Sequence, residues 1–391
     1  MSATELKSSL ALASIFGLRL FGMFVILPVF ALWAQGRAGW SLQLAGVAMG
    51  VYGLTQGLLQ IPFGWLSDRV GRKPMLYAGL ALFAAGSVIC AFGEDPWVMI
   101  AGRVVQGAGA VSGVVIAAVA DLTRESQRSK AMAIVGSGIG VVFAASFIVS
   151  PFLERAVGVP GIFALTAVLA AIALGVVRWF VPDAPASARA SSAAALARAF
   201  RDAELLRLYL GIFVLQAVLM ALFVVVPGAL VQAGLPKDEH SWVYLGCVGA
   251  GFVLMLPALM VRAGSRERVL FLASVAVVAV SLVLLVAQLR SLTGIVASLV
   301  IFFAGFNVLE AKLPALVSRA APRESTGAAT GAYSSVQFLG TFFGAAAGGA
   351  IAQHGGLVAV LVTCLAITVA WLAAAWNMGD FVPAATPASR T

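Results

Sequence analysis

The stretch Gly64-Trp65-Leu66-Ser67-Asp68-Arg69-Val70-Gly71-Arg72-Lys73-Pro74 decides how this chain folds. Residues 42–66 and residues 75–93 form apolar runs on either side of its charges, and neither run contains a charged residue. Each run is close to the ~20 residues that cross the hydrocarbon core of a bilayer. A tight turn joins them, so the sequence predicts a transmembrane hairpin. The charges of the turn must then lie at one membrane face, where water solvates them.

The composition is that of an integral membrane protein. Of the 391 residues, 61% are hydrophobic and 10% are charged, whereas soluble domains carry about 25% charged residues. The formal net charge of +9 does not indicate nucleic-acid binding, because the basic residues lie at the ends of the apolar runs. Cys90, Cys247 and Cys364 are isolated within apolar segments, so the sequence predicts neither a metal site nor a cofactor.

The apolar runs predict an all-α membrane protein with twelve transmembrane helices. In chain order the runs are 8–34, 42–66, 75–93, 97–119, 131–153, 161–181, 206–232, 241–262, 269–288, 292–318, 326–352 and 357–377. The longest break between them, residues 182–205, begins with a segment rich in Pro, Ala and Ser. We therefore predict a six-helix bundle over residues 1–181, a cytoplasmic linker over 182–205 and a second six-helix bundle over 206–391.

The two halves look related. A shift of 194 residues places Arg72-Lys73-Pro74-Met75-Leu76 over Arg266-Glu267-Arg268-Val269-Leu270, and it places Arg262 where Asp68 stands. The second copy keeps the basic loop and loses the acid. A parallel repeat of two six-helix halves is a known architecture of secondary transporters.

The basic residues also set the orientation. The even-numbered loops and both termini hold most of the Lys and Arg residues, while the odd-numbered loops hold only Arg37, Arg155, Lys237 and Arg290. Cytoplasmic loops of membrane proteins carry the excess of basic residues. Both termini are therefore predicted to be cytoplasmic.

Two motifs carry a resemblance to a known family. The pattern G-x-L-x-D-R-x-G-R-K resembles the loop 2–3 signature of the major facilitator superfamily. Its positions are held by Gly64, Asp68, Arg69, Gly71, Arg72 and Lys73. In the fourth run Arg103, Gln106, Gly107 and Gly109 form the pattern R-x-x-Q-G-x-G, which resembles a motif of proton-coupled drug antiporters in that superfamily.

Over nearly its whole length the chain resembles the YajR-type group of drug/proton antiporters. The supporting stretches are residues 18–28, 306–311 and 333–340. The resemblance implies the major facilitator fold, a bacterial inner-membrane location, function as a monomer, and proton-coupled export of small amphipathic compounds by alternating access. That group often carries an extra soluble C-terminal domain, and none is expected here. The antiporter motif G-x-x-x-G-P is incomplete in the fifth run, where Pro151 comes late.

Ionisable residues inside the spans indicate a transport pathway, because a charge there costs about 2.5–3.5 kcal/mol on insertion scales. Arg19 lies near the middle of the first run and Arg103 about two turns into the fourth. Glu310 is the single acid well inside a predicted span, which makes it the first candidate for proton coupling, with a structural pair to Arg or Lys as the alternative. The predicted substrate-cavity residues are Arg19, Arg103, Gln106, Asn307 and Gln337.

The resemblance further implies a charge cluster of Asp68, Arg72 and Asp121 at the cytoplasmic face, with Asp68 also facing the start of the eleventh helix. Ser325 is a predicted N-cap there, and an anion near a helix N-terminus is stabilised by about 0.3–1 kcal/mol. Asp68 and Asp121 are the next candidates for proton coupling. The predicted conformational latch consists of Gly64, Asp68, Arg69, Gly71, Arg72, Lys73, Asp121 and Ser325.

Two further functions are compatible with the sequence. One is a metabolite importer or facilitator in which Arg19 or Arg103 holds an anion, and the other is a transporter-like sensor without flux. An enzyme is not predicted, because the sequence offers no nucleophile–base–orienter set and no metal cluster. The expected partners are a small-molecule substrate, protons and the lipid bilayer.

Overall fold

The computed structural model describes residues 1–183, 193–260, 265–322 and 325–378. These residues form helices and two short 3-10 turns, Glu125–Gln127 and Lys237–Glu239, without a strand. Part of the predicted linker, 184–192, lies outside the described residues. The helices are α1 Ala3–Phe24, α2 Leu27–Ala34, α3 Leu42–Val70, α4 Arg72–Phe92, α5 Pro96–Ala108, α6 Ser112–Asp121, α7 Arg128–Phe180, α8 Ala193–Ala199, α9 Ala203–Gln232, α10 His240–Leu259, α11 Ser265–Ala287, α12 Leu292–Ala320 and α13 Thr326–Trp376.

Among the described residues, 10 helical stretches are long and apolar enough to cross a membrane. Two of them, Lys130–Phe180 and Thr326–Trp376, have 51 residues each, far more than a ~30 Å hydrocarbon core requires at 1.5 Å per residue. Each is interrupted by one non-helical glycine, Gly158 (φ 67°, ψ 175°) or Gly356 (φ 77°, ψ 179°). Each long stretch therefore comprises two crossings, and the prediction of twelve crossings in an all-α fold is confirmed.

The first crossing is made of two helices, α1 and α2, where the sequence predicted a single continuous span. The two helices meet at Val25 and Ile26, and Pro28 lies in the first turn of α2. A proline is tolerated in a first helical turn because its missing N–H would have no intrahelical acceptor there. The proline therefore marks a new helix start inside the membrane.

The fourth crossing is also divided, into α5 and α6. Between them the N–H of Ala110 bonds to the oxygen of Ala108 at 2.8 Å, so the helical ladder is interrupted. Packing accounts for the break, because a Cβ at Gly109 would overlap the backbone oxygen of Gly79 on α4. The continuous fourth helix that the sequence predicted is therefore wrong in its middle.

The turn of the hairpin formed by α3 and α4 is much shorter than the sequence predicted. Helix α3 continues through the charged segment to Val70, and α4 begins at Arg72. Gly71 alone makes the turn, with φ at +105°, a conformation that side-chain-bearing residues rarely adopt. The charged residues of the motif are therefore presented on two helix ends, not on a loop.

Helices α3 and α13 pack along a row of glycines. A Cβ at Gly50 or Gly57 would lie 2.8 Å from the backbone oxygen of Phe342 or Ser335. The N–H of Leu42 also donates to the side chain of Gln353 at 3.1 Å. Glycines let two helix backbones approach this closely, so the two halves of the chain are in contact from Leu42 to Gly57.

The two helices diverge beyond this contact. Gly64 follows Gly57 by seven residues and Gly331 precedes Ser335 by four, so both continue the facing surfaces. Nothing lies within 4 Å of a Cβ built at either glycine. We call the end of the bundle that carries Asp68 the Asp68 end, and the other the Gly158 end. The structure is closed at the Gly158 end and open between α3 and α13 at the Asp68 end.

Aromatic side chains make a second contact near the Gly158 end. The ring of Phe147 on α7 lies 5.4 Å from that of Phe223 on α9 and 5.8 Å from that of Tyr244 on α10. The free cysteines Cys90, Cys247 and Cys364 are buried, as expected of small apolar side chains.

Candidate functional site

Arg19 lies in a polar cluster among helices of the first half. The side chain is 2% exposed. One terminal nitrogen donates to Oγ of Ser112 on α6 at 2.9 Å, and the other donates to Oε1 of Gln56 on α3. Nε of Arg19 is buried and has no hydrogen-bond partner within the described ranges. Arg19 was predicted to line the substrate cavity, and in this conformation it lies inside the helix bundle.

Gln56 extends the cluster along α3. Its Nε2 donates to Oε1 of Gln60 and to Oγ of Ser112, both at 3.2 Å. The two glutamines are four residues apart, so they share one helix face. Gln56, Gln60 and Ser112 are not among the residues predicted from the sequence. The available signal was a pair of polar residues at helical spacing within an apolar run.

Arg103 on α5 is held mainly by backbone. Two of its nitrogens donate to the oxygens of Ala48 and Met49 on α3, both at 3.2 Å. The third donates to Oε1 of Gln106 at 2.6 Å, and Gln106 donates to Oγ of Ser87 on α4 at 2.8 Å. Arg103 is 2% exposed. It therefore cross-links α5 to α3, and neither Arg103 nor Gln106 faces an open cavity here.

The ring of Tyr52 on α3 contacts both arginines. Its centroid is 4.7 Å from Cζ of Arg103 and 5.8 Å from Cζ of Arg19. Such cation–π contacts are favourable by about 0.5–2 kcal/mol, which offsets only part of the cost of two buried charges. No carboxylate pairs with either arginine in the part of the chain that the structure describes.

Glu310 lies on α12, in the second half. Its two carboxylate oxygens accept hydrogen bonds from Nε2 of Gln337 on α13 at 2.8 Å and from Nε2 of Gln216 on α9 at 3.2 Å. Among the described residues it forms no salt bridge, and Lys312 pairs with Glu267 instead. Within the described part of the chain, Glu310 therefore does not form the structural Glu–Lys or Glu–Arg pair that was the alternative.

Further polar groups lie one turn from these residues. Asn307 precedes Glu310 by three positions on α12, and Tyr333 precedes Gln337 by four on α13. Both are buried, and neither Nδ2 of Asn307 nor the hydroxyl of Tyr333 has a hydrogen-bond partner within the described ranges. The surroundings of Glu310 thus hold unused hydrogen-bonding groups, which buried sites ordinarily satisfy.

Arg72 is the centre of the charge cluster at the Asp68 end. Its side chain lies 2.5 Å from Oδ1 of Asp68 and 2.8 Å from Oδ2 of Asp121, and it donates to Oγ of Ser67 at 2.6 Å. Arg72 is buried. The structure therefore brings together Asp68, Arg72 and Asp121, all within the first half.

The other predicted latch residues lie around this cluster. The guanidinium of Arg69 lies 3.7 Å from the ring centroid of Trp65, and Lys73 pairs with Asp183 at 3.4 Å. Ser325 occupies the N-cap position of α13, but its side chain caps no N–H and instead donates to the oxygen of Pro322 at 3.3 Å. The expected side-chain cap is therefore absent.

A second buried cluster lies in the other half and is not among the predicted sites. Glu267 at the start of α11 is 4% exposed, and it pairs with Lys312 at 3.2 Å and Arg319 at 2.8 Å on α12. The shift of 194 residues between the two halves aligns Arg72 with Arg266, which directly precedes Glu267. The available signal was the seven-residue spacing of Lys312 and Arg319, which puts both on one helix face.

Twelve apolar crossings with buried charges in both halves define a membrane transporter. The chain belongs to the Major Facilitator Superfamily, because residues 12–345 match the family's sequence model. This membership confirms the predicted family and fold. It also confirms the expectation of a transporter and not an enzyme.

Individual relatives agree with this assignment. The chain is 36% identical over 385 residues to the inner membrane transport protein YajR of Escherichia coli K12, covering 97% of this chain and 85% of that protein. It is 33% identical over 351 residues to the uncharacterized transporter BU466 of Buchnera aphidicola subsp. Acyrthosiphon pisum, covering 88% and 90%. Among solved structures, the D-xylose-proton symporter superposes with a TM-score of 0.72 at 18% identity, over 96% of this chain and 98% of that one. That likeness shows the fold.

Proposed function

We propose that the chain is a proton-coupled secondary transporter that exports small amphipathic compounds by alternating access, as a drug/proton antiporter. The observation that carries this proposal is the carboxylate of Glu310, which two neutral amides hold within the helix bundle. A carboxylate paired with a cation would resist protonation, because the neighbouring charge stabilises its ionised form. Glu310 has only Gln216 and Gln337 as partners among the described residues. It can therefore change its protonation state without breaking an ion pair.

The separation of the two halves supports alternating access. Glycine contacts close α3 against α13 at the Gly158 end, while Gly64 and Gly331 face open space at the Asp68 end. Substrate binding between the halves near the midplane, with rocking of one half against the other, is the general mechanism for such folds. In the proposed cycle, the closed contacts at the Gly158 end are exchanged for contacts at the Asp68 end.

The proposal includes an orientation. The Asp68 end carries the basic residues of the 64–73 motif and of the segment after α6, so it faces the cytoplasm by the positive-inside rule. Both termini then lie in the cytoplasm, and the membrane is a bacterial inner membrane, as for YajR. The proposed substrate-cavity residues remain Arg19, Arg103, Gln106, Asn307 and Gln337, although the first three are buried within the helix bundle in this conformation. Asp68 and Asp121 follow Glu310 as proton-coupling candidates. The transporter acts as a monomer, with a small molecule and protons as its partners.

The test is a flux assay in proteoliposomes with a panel of amphipathic compounds, with and without an imposed pH gradient. Wild-type protein should move at least one compound faster when the gradient is present. Glu310→Gln should abolish the gradient-driven component, because the amide keeps the shape of the side chain and cannot titrate. Substrate binding measured by fluorescence on the purified variant should change little.

Glu94→Gln is the matched control. The side chain of Glu94 is 77% exposed and forms one surface pair with Arg37 at 3.9 Å, which contributes little to stability. This variant should transport at the wild-type rate. Gradient-driven flux in Glu310→Gln equal to that of Glu94→Gln would reject Glu310 as the proton site.

A further inference from the structure

The N-terminus of a membrane-embedded helix lies beside Arg19. Helix α6 has 10 residues and begins at Ser112, so its first residue lies about 14 Å from Asp121 and about halfway through a ~30 Å hydrocarbon core. Val111 occupies the N-cap position and provides no side-chain hydrogen bond. The first N–H groups of a helix have no intrahelical acceptor, so this end of α6 presents donors and the positive end of its dipole.

The guanidinium of Arg19 adds a full positive charge at the same place. It donates to Oγ of Ser112 at 2.9 Å, although a cation is normally unfavourable near a helix N-terminus. Its Nε is buried without a hydrogen-bond partner in the described ranges. A second buried cation, Arg103, contacts the same Tyr52 ring as Arg19. Arg19 therefore adds its charge to a helix N-terminus, and no acidic side chain of the described chain pairs with Arg19 or Arg103.

Neutral oxygens occupy the positions where an anion would bind. Oε1 of Gln56 and Oγ of Ser112 accept the two terminal nitrogens of Arg19. Gln56 also offers its amide nitrogen, which now donates to Gln60 and Ser112 at 3.2 Å. A change of rotamer at Gln56 would free one guanidinium nitrogen and one amide donor for a ligand. Broken transmembrane helices bind anionic groups at such half-helix N-termini in other transporters.

We propose that Arg19, Gln56 and the N-terminus of α6 form a binding site for a compact monovalent anion. Two sources share this chemistry, a chloride ion and the carboxylate group of a transported amphipathic compound. The second source rests on the proposed transport function, and the first does not. Charge-assisted hydrogen bonds from the guanidinium and hydrogen bonds from the first N–H groups of α6 would hold either anion.

The experiment measures thermal unfolding of the full chain purified in detergent, without a membrane or a pH gradient. Sodium chloride or sodium benzoate replaces sodium isethionate, a larger sulfonate, at constant ionic strength. Wild-type Tm should rise with chloride or benzoate and then saturate, because a ligand that binds the folded state stabilises it. If only chloride raises the Tm, the site holds a resident ion. If benzoate raises the Tm, the site accepts the carboxylate of a transported compound.

Arg19→Gln should weaken the apparent affinity for chloride or benzoate at least about tenfold, since hydrogen bonds to charged groups are stronger than those between neutral groups. Arg37→Gln is the matched control, because Arg37 has a 43% exposed side chain. It should respond as wild type does. A response in Arg19→Gln equal to the control would overturn the site.

Gln56→Glu keeps the proposal testable if Arg19→Gln does not fold. The new carboxylate would lie beside Arg19 and take the place of the anion. The Tm of Gln56→Glu in isethionate should exceed that of wild type, and neither chloride nor benzoate should raise this Tm further. A retained anion response in Gln56→Glu, or no response in wild type, contradicts the proposal. Since no proton gradient is used, either result is independent of the flux assay on Glu310.

Discussion

Arg103 shows how one side chain can determine local packing in the first half. Its nitrogens bind two backbone oxygens of α3 and the side chain of Gln106, so every nitrogen has an acceptor. Arginine suits this position because its planar group presents donors in a fixed fork. A lysine at the same place would offer a single nitrogen that cannot reach all three acceptors.

We therefore predict that Arg103→Lys lowers the free energy of unfolding by about 2 kcal/mol, because hydrogen bonds to charged groups contribute ~1.5–3 kcal/mol each. Unfolding in mixed detergent micelles, followed by tryptophan fluorescence, measures the loss. Arg37→Lys serves as the control and should change stability by less than ~0.5 kcal/mol. Equal stability of the two variants would mean that the backbone contacts of Arg103 are dispensable.

At the residue scale the sequence identified the charged members of the site but not their partners. Arg19, Arg103 and Glu310 could be selected because ionisable residues inside apolar runs are rare and costly. Gln56, Ser112 and Gln216 come from other helices, and their proximity depends on how those helices pack. Spacing along one helix cannot provide that information.

At the scale of helices, the facing surfaces of α3 and α13 determine which end of the bundle is closed. Gly50 and Gly57 lie against the backbone of α13, whereas Gly64 and Gly331 lie in open space. A side chain added at Gly50 would push the helices apart at the Gly158 end. A side chain added at Gly64 would obstruct closure of the Asp68 end.

We predict that Gly50→Val and Gly64→Val shift the conformational equilibrium in opposite directions. The measurement is cross-linking of Leu42→Cys with Gln353→Cys, positions joined by a hydrogen bond of 3.1 Å in this state. Gly50→Val should decrease cross-linking and Gly64→Val should preserve or increase it. Gly228→Val, where nothing lies within 4 Å of the Cβ position, is the control. The same change in both test variants would show general destabilisation and not a shift between states.

The sequence predicted the number and order of the crossings, because each is an apolar run of membrane length. It did not predict the breaks at Val25 and at Gly109, nor the continuation of α3 to Val70. The break at Gly109 follows from contact with α4, a tertiary effect without a periodic signal. The charged segment 64–74 is predicted to be a turn, because charged residues are compatible with a loop as well as with a solvated helix end.

At the scale of the whole molecule, the clusters at Arg72 and Glu267 are related by an exchange of charge. In the first half a buried arginine pairs with Asp68 and Asp121, and in the second half a buried glutamate pairs with Lys312 and Arg319. Arg72 and Glu267 each lie at the start of the third crossing of their half. Each cluster joins helices of one half only: α3, α4 and α6 at Arg72, and α11 and α12 at Glu267.

We predict that Asp68→Asn favours the state that is open at the Asp68 end. In the proposed latch, Asp68 faces the N-terminus of α13 when that end closes, and removal of its charge weakens this contact. A loss of ~1.4 kcal/mol would change the ratio of the two states about tenfold. Cross-linking of Gly64→Cys with Gly331→Cys should fall, and cross-linking of Leu42→Cys with Gln353→Cys should rise.

Asp183→Asn is the control, because Asp183 has an 87% exposed side chain and pairs only with Lys73 in the described structure. Unchanged cross-linking at both ends in Asp68→Asn would leave this segment with a role in topology alone.

The burial of the three cysteines has a practical consequence for spectroscopy. Cys90, Cys247 and Cys364 are each at most 3% exposed, so a maleimide dye added to the folded protein should react with them slowly. One new cysteine at Val70, which is 55% exposed, would then accept a fluorophore selectively in the natural sequence background. Single-molecule distance measurements between such a label and a second one on α13 could follow the opening of the Asp68 end in real time, with every native thiol left in place.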